Sequence, residues 1–203
     1  MEIIEPNPLL IEYIQLSNSL WTGFDNIVNK DQVNQQESGE WHYIMSDIEQ
    51  NIFLLKRLED LNLLKEEVNM CDAGIGLGSA LFDLYLQSKE INKKFKFSGI
   101  EKNHKYINFF NENLLKFWSG DLDYIVGDIM KQDFSKFDIV YSYSPFISPR
   151  DLLTYYTKLK NDIKPGSLII ENRERGLGLD STLTMVDGLE PIKIDNIYIF
   201  KKL

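Results

Sequence analysis

The sequence predicts an α/β protein with a doubly wound, mostly parallel sheet of seven strands, an antiparallel terminal strand and an N-terminal helical extension. Residues 1–64 show helical apolar spacing and no β alternation. From residue 68 onward, short apolar runs alternate with amphipathic segments, which is typical of parallel strands joined by helices. The last two runs, 191–194 and 197–201, flank Asp195-Asn196 and predict a closing antiparallel hairpin.

The N-terminal region, residues 1–64, is predicted to be a cap on a sheet domain that comprises residues 65–203. An apolar stripe marks its last helix, and Ser46 with Glu49 has the spacing of a capping box at the start of that helix. The stripe consists of Ile48, Ile52, Phe53, Leu55, Leu58 and Leu61. Because the region has no internal repeat and no Gly/Ser linker, we expect the stripe to pack on the sheet domain and the cap to cover the substrate site.

The elements of the sheet domain follow from apolar runs for strands and from three-to-four-residue apolar spacing for helices. Ser148 and Pro149 are typical of a helix start, and Pro165-Gly166 predicts a turn into a strand. Before the terminal hairpin we predict, in chain order, strand 68–72, helix 79–89, strand 95–101, helix 106–118, strands 123–127 and 137–143, a helix from 149 to about 160, and strand 167–171.

The composition of the 203 residues excludes several classes of protein. No apolar run approaches 18 residues, and the first residues lack the basic and apolar regions of a secretory signal, so we expect a cytoplasmic protein without a membrane segment. The net charge of −9 disfavours binding to extended nucleic acid, which depends on Lys and Arg. One cysteine, Cys71, and two histidines predict neither a disulfide framework nor a metal site. We expect Cys71 to be a small buried apolar residue.

A glycine-rich turn after the first strand is the sharpest functional signal. The segment Asp72-Ala73-Gly74-Ile75-Gly76-Leu77-Gly78 joins an apolar strand to a helix. Glycines at these positions allow a tight turn and close approach of a ligand, and the helix N-terminus offers free N–H groups to an anion. The spacing G-x-G-x-G differs from the G-x-G-x-x-G of dinucleotide-binding proteins. A ligand-free tight turn is the alternative interpretation.

Two acidic positions follow at the ends of later strands. Glu101 ends the second strand, 23 residues after Gly78, where a carboxylate can accept the hydroxyls of a ribose. Asp128 and Ile129 follow the third strand, where a carboxylate can accept from an exocyclic amino group and an aliphatic side chain can lie on a purine. After the fourth strand, a polar and aromatic loop begins at Ser142 and ends at Phe146.

In this order, these features resemble the class I S-adenosylmethionine-dependent methyltransferases, over residues 68–203. The resemblance implies a Rossmann-like fold, whose antiparallel last strand agrees with the terminal hairpin, and S-adenosylmethionine as cofactor. The cofactor-binding residues that it implies are Asp72, Gly74, Gly76, Gly78, Glu101, Asp128, Ile129 and Ser142.

The resemblance also implies a role for each of these positions. The three glycines would line the methionine part of the cofactor, and Asp72 would hold its amino group or anchor the loop. Glu101 would accept the ribose hydroxyls, and Asp128 with Ile129 would frame the adenine. Ser142 and Tyr143 would lie beside the methyl group.

The loop Tyr143-Ser144-Pro145-Phe146 is similar to the D/N/S-P-P-Y/F loop of amino-group methyltransferases. It differs at two positions, with Tyr for the polar first residue and Ser for the first Pro. Ser142, Tyr143 and Ser144 are therefore the candidate catalytic residues. The acceptor stays open: a protein side chain, a nucleobase or a small molecule.

The predicted reaction is direct displacement of the methyl group, which requires alignment more than acid–base chemistry. Two alternatives remain at this stage. One is a non-catalytic cofactor-binding or methyltransferase-like interaction module. The other is different chemistry on the same cofactor, such as a lyase or an aminopropyl transferase. The sequence leaves the oligomeric state open.

Overall fold

The computed structural model describes residues 53–143, 145–146, 148–172, 182–194 and 197–203, and the structural statements below concern these residues. The predicted capping box at Ser46 and Glu49 lies outside this part of the chain. So do Ser144 and the predicted hairpin turn at 195–196.

The described strands form one seven-stranded sheet in the order β3-β2-β1-β4-β5-β7-β6. Strands β1 to β5 are mutually parallel, and β7 runs antiparallel to β5 and to β6. This arrangement confirms the predicted doubly wound sheet with its antiparallel terminal strand. The strands are β1 Glu67–Ala73, β2 Lys94–Glu101, β3 Leu122–Val126, β4 Ile139–Ser142, β5 Leu168–Glu171, β6 Leu189–Ile194 and β7 Ile197–Lys202.

Four α-helices occur in the described residues: α1 Leu54–Asp60, α2 Ser79–Ser88, α3 His104–Asn113 and α4 Pro149–Asp162. Single 3₁₀ turns cover Leu115–Phe117, Ile129–Lys131 and Thr182–Met185. The start of α4 is confirmed, because the Ser148 side chain accepts from the Asp151 N–H and Pro149 occupies the first turn.

The third helix is shorter than predicted. The helix expected to reach Trp118 ends at Asn113, and a 3₁₀ turn leads to an extended Trp118. This change of direction brings the Trp118 ring onto Tyr85 of α2, with ring centroids 4.0 Å apart. Stacking between two large aromatic rings outweighs the helical spacing of the local sequence.

The two faces of the sheet bury different sets of side chains. Cys71, Val140 and Ile169 are register partners on neighbouring strands and point to one face, where α4 covers the core. We call this side the α4 face. Cys71 is fully buried there, as predicted. Asp72 of β1 and its register partner Gly99 of β2 point to the other face, where Ile75 and Leu81 pack over Gly99. We call that side the α2 face.

The connection from β3 to β4 replaces the usual crossover helix with a short 3₁₀ turn at 129–131. Phe134 and Phe137 fill the space that a helix would occupy, and both are fully buried in the core of the α4 face. The Phe134 ring also packs against Tyr155 of α4, with centroids 6.4 Å apart. Two aromatic side chains therefore cover this part of the sheet at little cost in chain length.

Helix α1 packs on α2. Leu55 and Leu58 of the predicted stripe are buried, and the Leu55 N–H donates to Gln87 Oε1 at 3.1 Å. Phe53 and Leu61 are exposed, contrary to the predicted stripe, because they flank the ends of a seven-residue helix. The division of the chain at residue 64 stays a prediction.

We predict that Leu58→Ala lowers the free energy of unfolding by about 2–5 kcal/mol, since it removes a fully buried side chain between α1 and the sheet domain. Urea denaturation of the full chain measures this loss. The matched control is Leu61→Ala, at a position that is 52% exposed, which should change the free energy by less than about 0.5 kcal/mol. Equal effects of the two substitutions would contradict the packing of α1.

Candidate functional site

The candidate site lies where β1 and β4 are neighbours at the centre of the sheet. The chain leaves β1 toward β2 and β3 on one side, and leaves β4 toward β5 on the other. The carboxyl ends of two such strands border a crevice, which is the usual ligand site of an open α/β sheet. Asp72, Glu101 and Ser142 all lie at this edge, at or next to the last residues of β1, β2 and β4.

The glycine-rich loop between β1 and α2 turns through left-handed backbone conformations. The φ angles are +89° at Gly74, +53° at Gly76 and +87° at Gly78, a region that L side chains rarely adopt. Gly78 also meets a neighbour: a Cβ at this position would lie 2.2 Å from the Phe110 ring. The loop therefore requires glycine both for its turn and for the close packing of α3, and it brings the N-terminus of α2 to the crevice.

The Glu101 carboxylate is bound by backbone groups on two sides. Its Oε2 accepts from the Gly76 N–H at 2.9 Å, and its Oε1 accepts from the Lys102 and Asn103 N–H groups at 2.9 and 2.8 Å. Burial raises the pKa of this carboxyl, and the N–H groups of Asn103 and Gly76 act in the opposite direction. Glu101 thus holds the glycine loop to the start of α3, a structural role that its position in the sequence did not reveal.

Asp72 lies under the glycine loop and is only 2% exposed. Its Oδ2 atom has no hydrogen-bond partner in the structure. Burial and, second, the charge of Glu101 raise the pKa of Asp72 to about 8, although the Leu81 N–H lowers it somewhat. The Asp72 carboxyl is therefore mostly protonated near neutral pH in the ligand-free protein.

Asp128 and Ile129 follow β3 beside Glu101, because the Gly127 N–H donates to the Glu101 carbonyl at 2.9 Å. The Asp128 Oδ1 atom accepts from the Met130 N–H at 2.8 Å and caps the 3₁₀ turn. The Ile129 side chain packs in the core of the α4 face. The adenine-framing role of this pair stays a prediction.

The three candidate catalytic residues differ in their surroundings. Ser142 is fully buried beside the Tyr155 hydroxyl, whereas Tyr143 is half-buried and Ser144 lies outside the described residues. The loop that they begin reaches the glycine loop, because a Cβ on Gly74 would lie 3.9 Å from Pro145 Cβ. That these residues face a transferred methyl group stays a prediction.

The end of β5 contributes polar residues that the sequence analysis did not select. The Asn172 side-chain amide donates to the Tyr141 hydroxyl at 3.0 Å, and the Asn172 N–H donates to the Ser142 carbonyl at 3.0 Å. On the opposite face, the Tyr156 hydroxyl donates to Glu171 Oε1 at 2.7 Å. The sequence did contain a signal for these polar residues, since Glu171-Asn172 follows an apolar run at the end of a strand in the same way as Glu101 does.

In the part of the chain that the structure describes, no group of three or more His, Cys, Asp or Glu side chains is placed to hold a metal ion. None of the helices described above has the length and apolar character needed to cross a membrane.

Comparison with known proteins adds information on the fold alone. No protein-family model matches the sequence, and no curated protein matches it. Solved structures do match. A Listeria monocytogenes protein, assigned by inference to the class I S-adenosylmethionine-dependent methyltransferases, superposes with a TM-score of 0.60 at 14% identity, covering 78% of this chain and 60% of that one.

Two further matches have TM-scores of 0.53. One is an S-adenosylmethionine-dependent methyltransferase from Clostridium acetobutylicum, at 14% identity over 90% of this chain and 66% of that one. The other is TrmN from Thermus thermophilus, at 13% identity over 74% of this chain and 48% of that one. The chain thus spans about half to two thirds of the length of these structures. Its fold is that of the class I S-adenosylmethionine-dependent methyltransferases, as the sequence predicted.

We predict that Gly78→Ala is more destabilising than Gly166→Ala. Both glycines have nearly the same φ, +87° and +83°, so both substitutions introduce left-handed strain of about 1–2 kcal/mol. Only Gly78 faces the Phe110 ring, whereas nothing lies within 4 Å of a Cβ at Gly166. Urea denaturation should show an extra loss of at least about 1 kcal/mol for Gly78→Ala. Equal losses would contradict the close contact with Phe110.

A second prediction concerns pH. The pKa of Asp72 is about 8 in the folded protein against 3.8 ordinarily, so the folded state holds a proton that the unfolded state releases in this window. Stability from this group is therefore lost as pH rises from about 4 to about 8. Asp72→Asn removes that loss. Its free energy of unfolding relative to that of the wild type should therefore increase by at least about 1 kcal/mol between pH 5 and pH 8.5, which corresponds to roughly 2–4 °C in Tm.

Thermal melts of the ligand-free protein across this pH range measure the effect. Asp187→Asn, which removes one negative charge at an exposed position, is the control and should follow the wild-type profile. A constant difference between Asp72→Asn and the wild type at all pH values would show that Asp72 is ionised throughout.

Proposed function

We propose that the protein binds S-adenosylmethionine and transfers its methyl group to an acceptor by direct displacement. The observation that carries this proposal is the convergence of the glycine loop, Asp72 and Glu101 at the switch point of the sheet. The fold shared with the Clostridium methyltransferase supports it. Cytoplasmic location is part of the same proposal.

The residues at this edge fit the chemistry of the cofactor. The glycine loop and the N-terminus of α2 suit its carboxylate, because helix N-termini stabilise anions. Glu101 is held at the end of β2, where a carboxylate can accept ribose hydroxyls. Asp72 has a buried oxygen without a hydrogen-bond partner, which suits a positively charged or hydrogen-bonding group. We assign the adenine to the Asp128–Ile129 side of the crevice.

The chain's own contribution to the reaction is binding, orientation and exclusion of water. When bound, the cofactor supplies a methyl group on a positively charged sulfur, so the protein needs chiefly to align a nucleophile with that bond. We place the acceptor at the loop of Ser142, Tyr143 and Ser144, because Pro145 of that loop lies beside Gly74.

The class of acceptor follows only in part. The net charge of −9 disfavours extended nucleic acid and leaves protein side chains, isolated bases and small molecules. A second candidate function is a cofactor-binding module without methyl transfer. The observation that favours it is the complete burial of Ser142, which keeps the hydroxyl of the first candidate catalytic residue from direct contact with an acceptor.

We predict that the full chain binds S-adenosylmethionine and that Glu101→Gln weakens this binding about tenfold to a hundredfold. The reason is that a hydrogen bond to a charged acceptor is worth about 1.5–3 kcal/mol. Titration calorimetry measures both affinities. Glu112→Gln, which changes an exposed carboxylate on α3, should leave the affinity unchanged.

Because Glu101 also holds the glycine loop, a second ligand separates its two roles. Adenosine has the ribose but no methionine part. If Glu101 binds the ribose, Glu101→Gln should weaken the binding of adenosine by the same factor as the binding of S-adenosylmethionine. If Glu101 acts only through the loop, the affinity for adenosine should change little. A full chain that gives no heat with either S-adenosylmethionine or S-adenosylhomocysteine would refute the proposed function.

A further inference from the structure

A pocket lies at the amino ends of β2 and β3, on the edge of the sheet opposite the crevice. It has a volume of about 270 Å³ and opens between the end of α2, the start of β2 and the segment 118–121. Phe95 of β2 lines the pocket, and Glu101 of the same strand lies at the crevice. Six residues of extended chain separate the two by about 20 Å, so the pocket is distinct from the cofactor site proposed above.

The wall of the pocket is a connected set of aromatic rings, from Tyr85, Phe95, Phe97 and Trp118. Tyr85 stacks on Trp118 with centroids 4.0 Å apart, and Phe95 stacks on Phe97 with centroids 5.6 Å apart. The Phe97 ring meets Trp118 edge-on at 5.4 Å and so joins the two pairs. The Trp118 indole N–H is buried, and it has no hydrogen-bond partner among the described residues. Such a wall suits a flat ring that stacks on it or meets it edge-on.

Two lysines bring positive charge to the same pocket. Lys89 Nζ lies 4.3 Å from the Tyr85 ring centroid and donates to the Ser119 carbonyl at 3.1 Å. Since an ammonium group has three N–H donors, Lys89 can also bind an anion. Lys93 pairs with Glu66, whose side chain is 85% exposed. An ion pair with so exposed a partner contributes little, so Lys93 can exchange it for the anionic group of a ligand.

The charge around the pocket favours an anion over a cation. Residues 88–96 contain four lysines and one glutamate, although the whole chain has a net charge of −9. Asp121 is the single carboxylate among the described residues that line the pocket, and it is exposed. Aromatic pockets also bind cations through the faces of their rings. Here Lys89 already lies over the Tyr85 ring, so a second cation would be repelled.

We propose that this pocket binds a small planar aromatic anion, with one or two rings and a carboxylate or phosphate group, at a site separate from the crevice. The ring lies against the aromatic wall, and the anionic group lies between Lys89 and Lys93. The volume agrees with this class of ligand, because a cavity of about 150 Å³ holds benzene and 270 Å³ leaves room for a second ring or a short acidic side chain. The proposal does not depend on the proposed function.

Three probes test the proposal on the wild-type full chain by ligand-detected NMR. Indole-3-acetate has a ring and a negative charge, tryptamine has the same ring with a positive charge, and acetate has the charge without the ring. Indole-3-acetate should bind with a dissociation constant of about 1 mM or lower, as expected for a ligand of its size. Tryptamine and acetate should each bind at least about tenfold more weakly. Added salt should weaken the binding of indole-3-acetate, because it screens the lysines.

Charge variants locate the probe. Lys89→Gln and Lys93→Gln should each weaken the binding of indole-3-acetate about threefold to tenfold. Asp121→Asn should strengthen it about twofold, since this change removes a negative charge from the rim, and a merely structural role would not improve binding. Lys116→Gln is the matched control and should leave the affinity unchanged. Lys116 also lies over an aromatic ring, 5.2 Å from the Phe117 centroid, but it does not line the pocket.

The outcomes separate this site from the crevice. Preference for indole-3-acetate, with weaker binding in both lysine variants and no displacement by S-adenosylmethionine, supports the proposal. Equal affinity for tryptamine and indole-3-acetate, unchanged affinity in the lysine variants, or no binding of indole-3-acetate overturns it. Displacement of indole-3-acetate by S-adenosylmethionine would place the probe in the crevice and would also overturn the proposal.

Discussion

The organisation of the crevice depends on the hydrogen bonds that the Glu101 carboxylate accepts from the backbone. Its three backbone hydrogen bonds join the glycine loop after β1 to the turn before α3, so the ends of two neighbouring strands are held in one arrangement. Each N–H that it binds would otherwise be an unsatisfied donor at a loop or helix start. The cost is a buried negative charge, which is tolerated because three donors surround it.

The ionised form of Asp72 is unfavourable so near the Glu101 charge, and the surrounding fold does not supply a compensating interaction. The described residues provide no salt bridge for Asp72, and burial together with Glu101 favours its protonated form. A residue chosen for stability alone would be apolar at this position, as are Met70 and Ala73 on the same strand. Local destabilisation of this kind is typical of functional sites, where a ligand supplies the missing interaction.

Successive side chains of β4 point to opposite faces of the sheet, so the polar groups at the end of this strand fall into two separate sets. Tyr141 points to the α2 face with Asp72, whereas Ser142 points to the α4 face with Tyr155 and Glu171. Phe146 packs edge-on against Tyr155, with centroids 5.8 Å apart, so the loop after β4 rests on α4. The position of this loop therefore depends on the helix that follows it as well as on the strand before it.

The sequence by itself determined the seven strands and their mostly parallel arrangement, and it pointed to the edge of the sheet where the candidate site lies, because apolar runs, helical spacing and glycine-rich turns are local signals. It also pointed to Asp72 and Glu101 from their places at strand ends. Only the tertiary structure showed that Glu101 binds the glycine loop 25 residues earlier in the chain. The tertiary structure likewise showed that α3 ends at Asn113, because Trp118 stacks on a ring from another helix. Such long-range contacts leave no pattern in the local sequence.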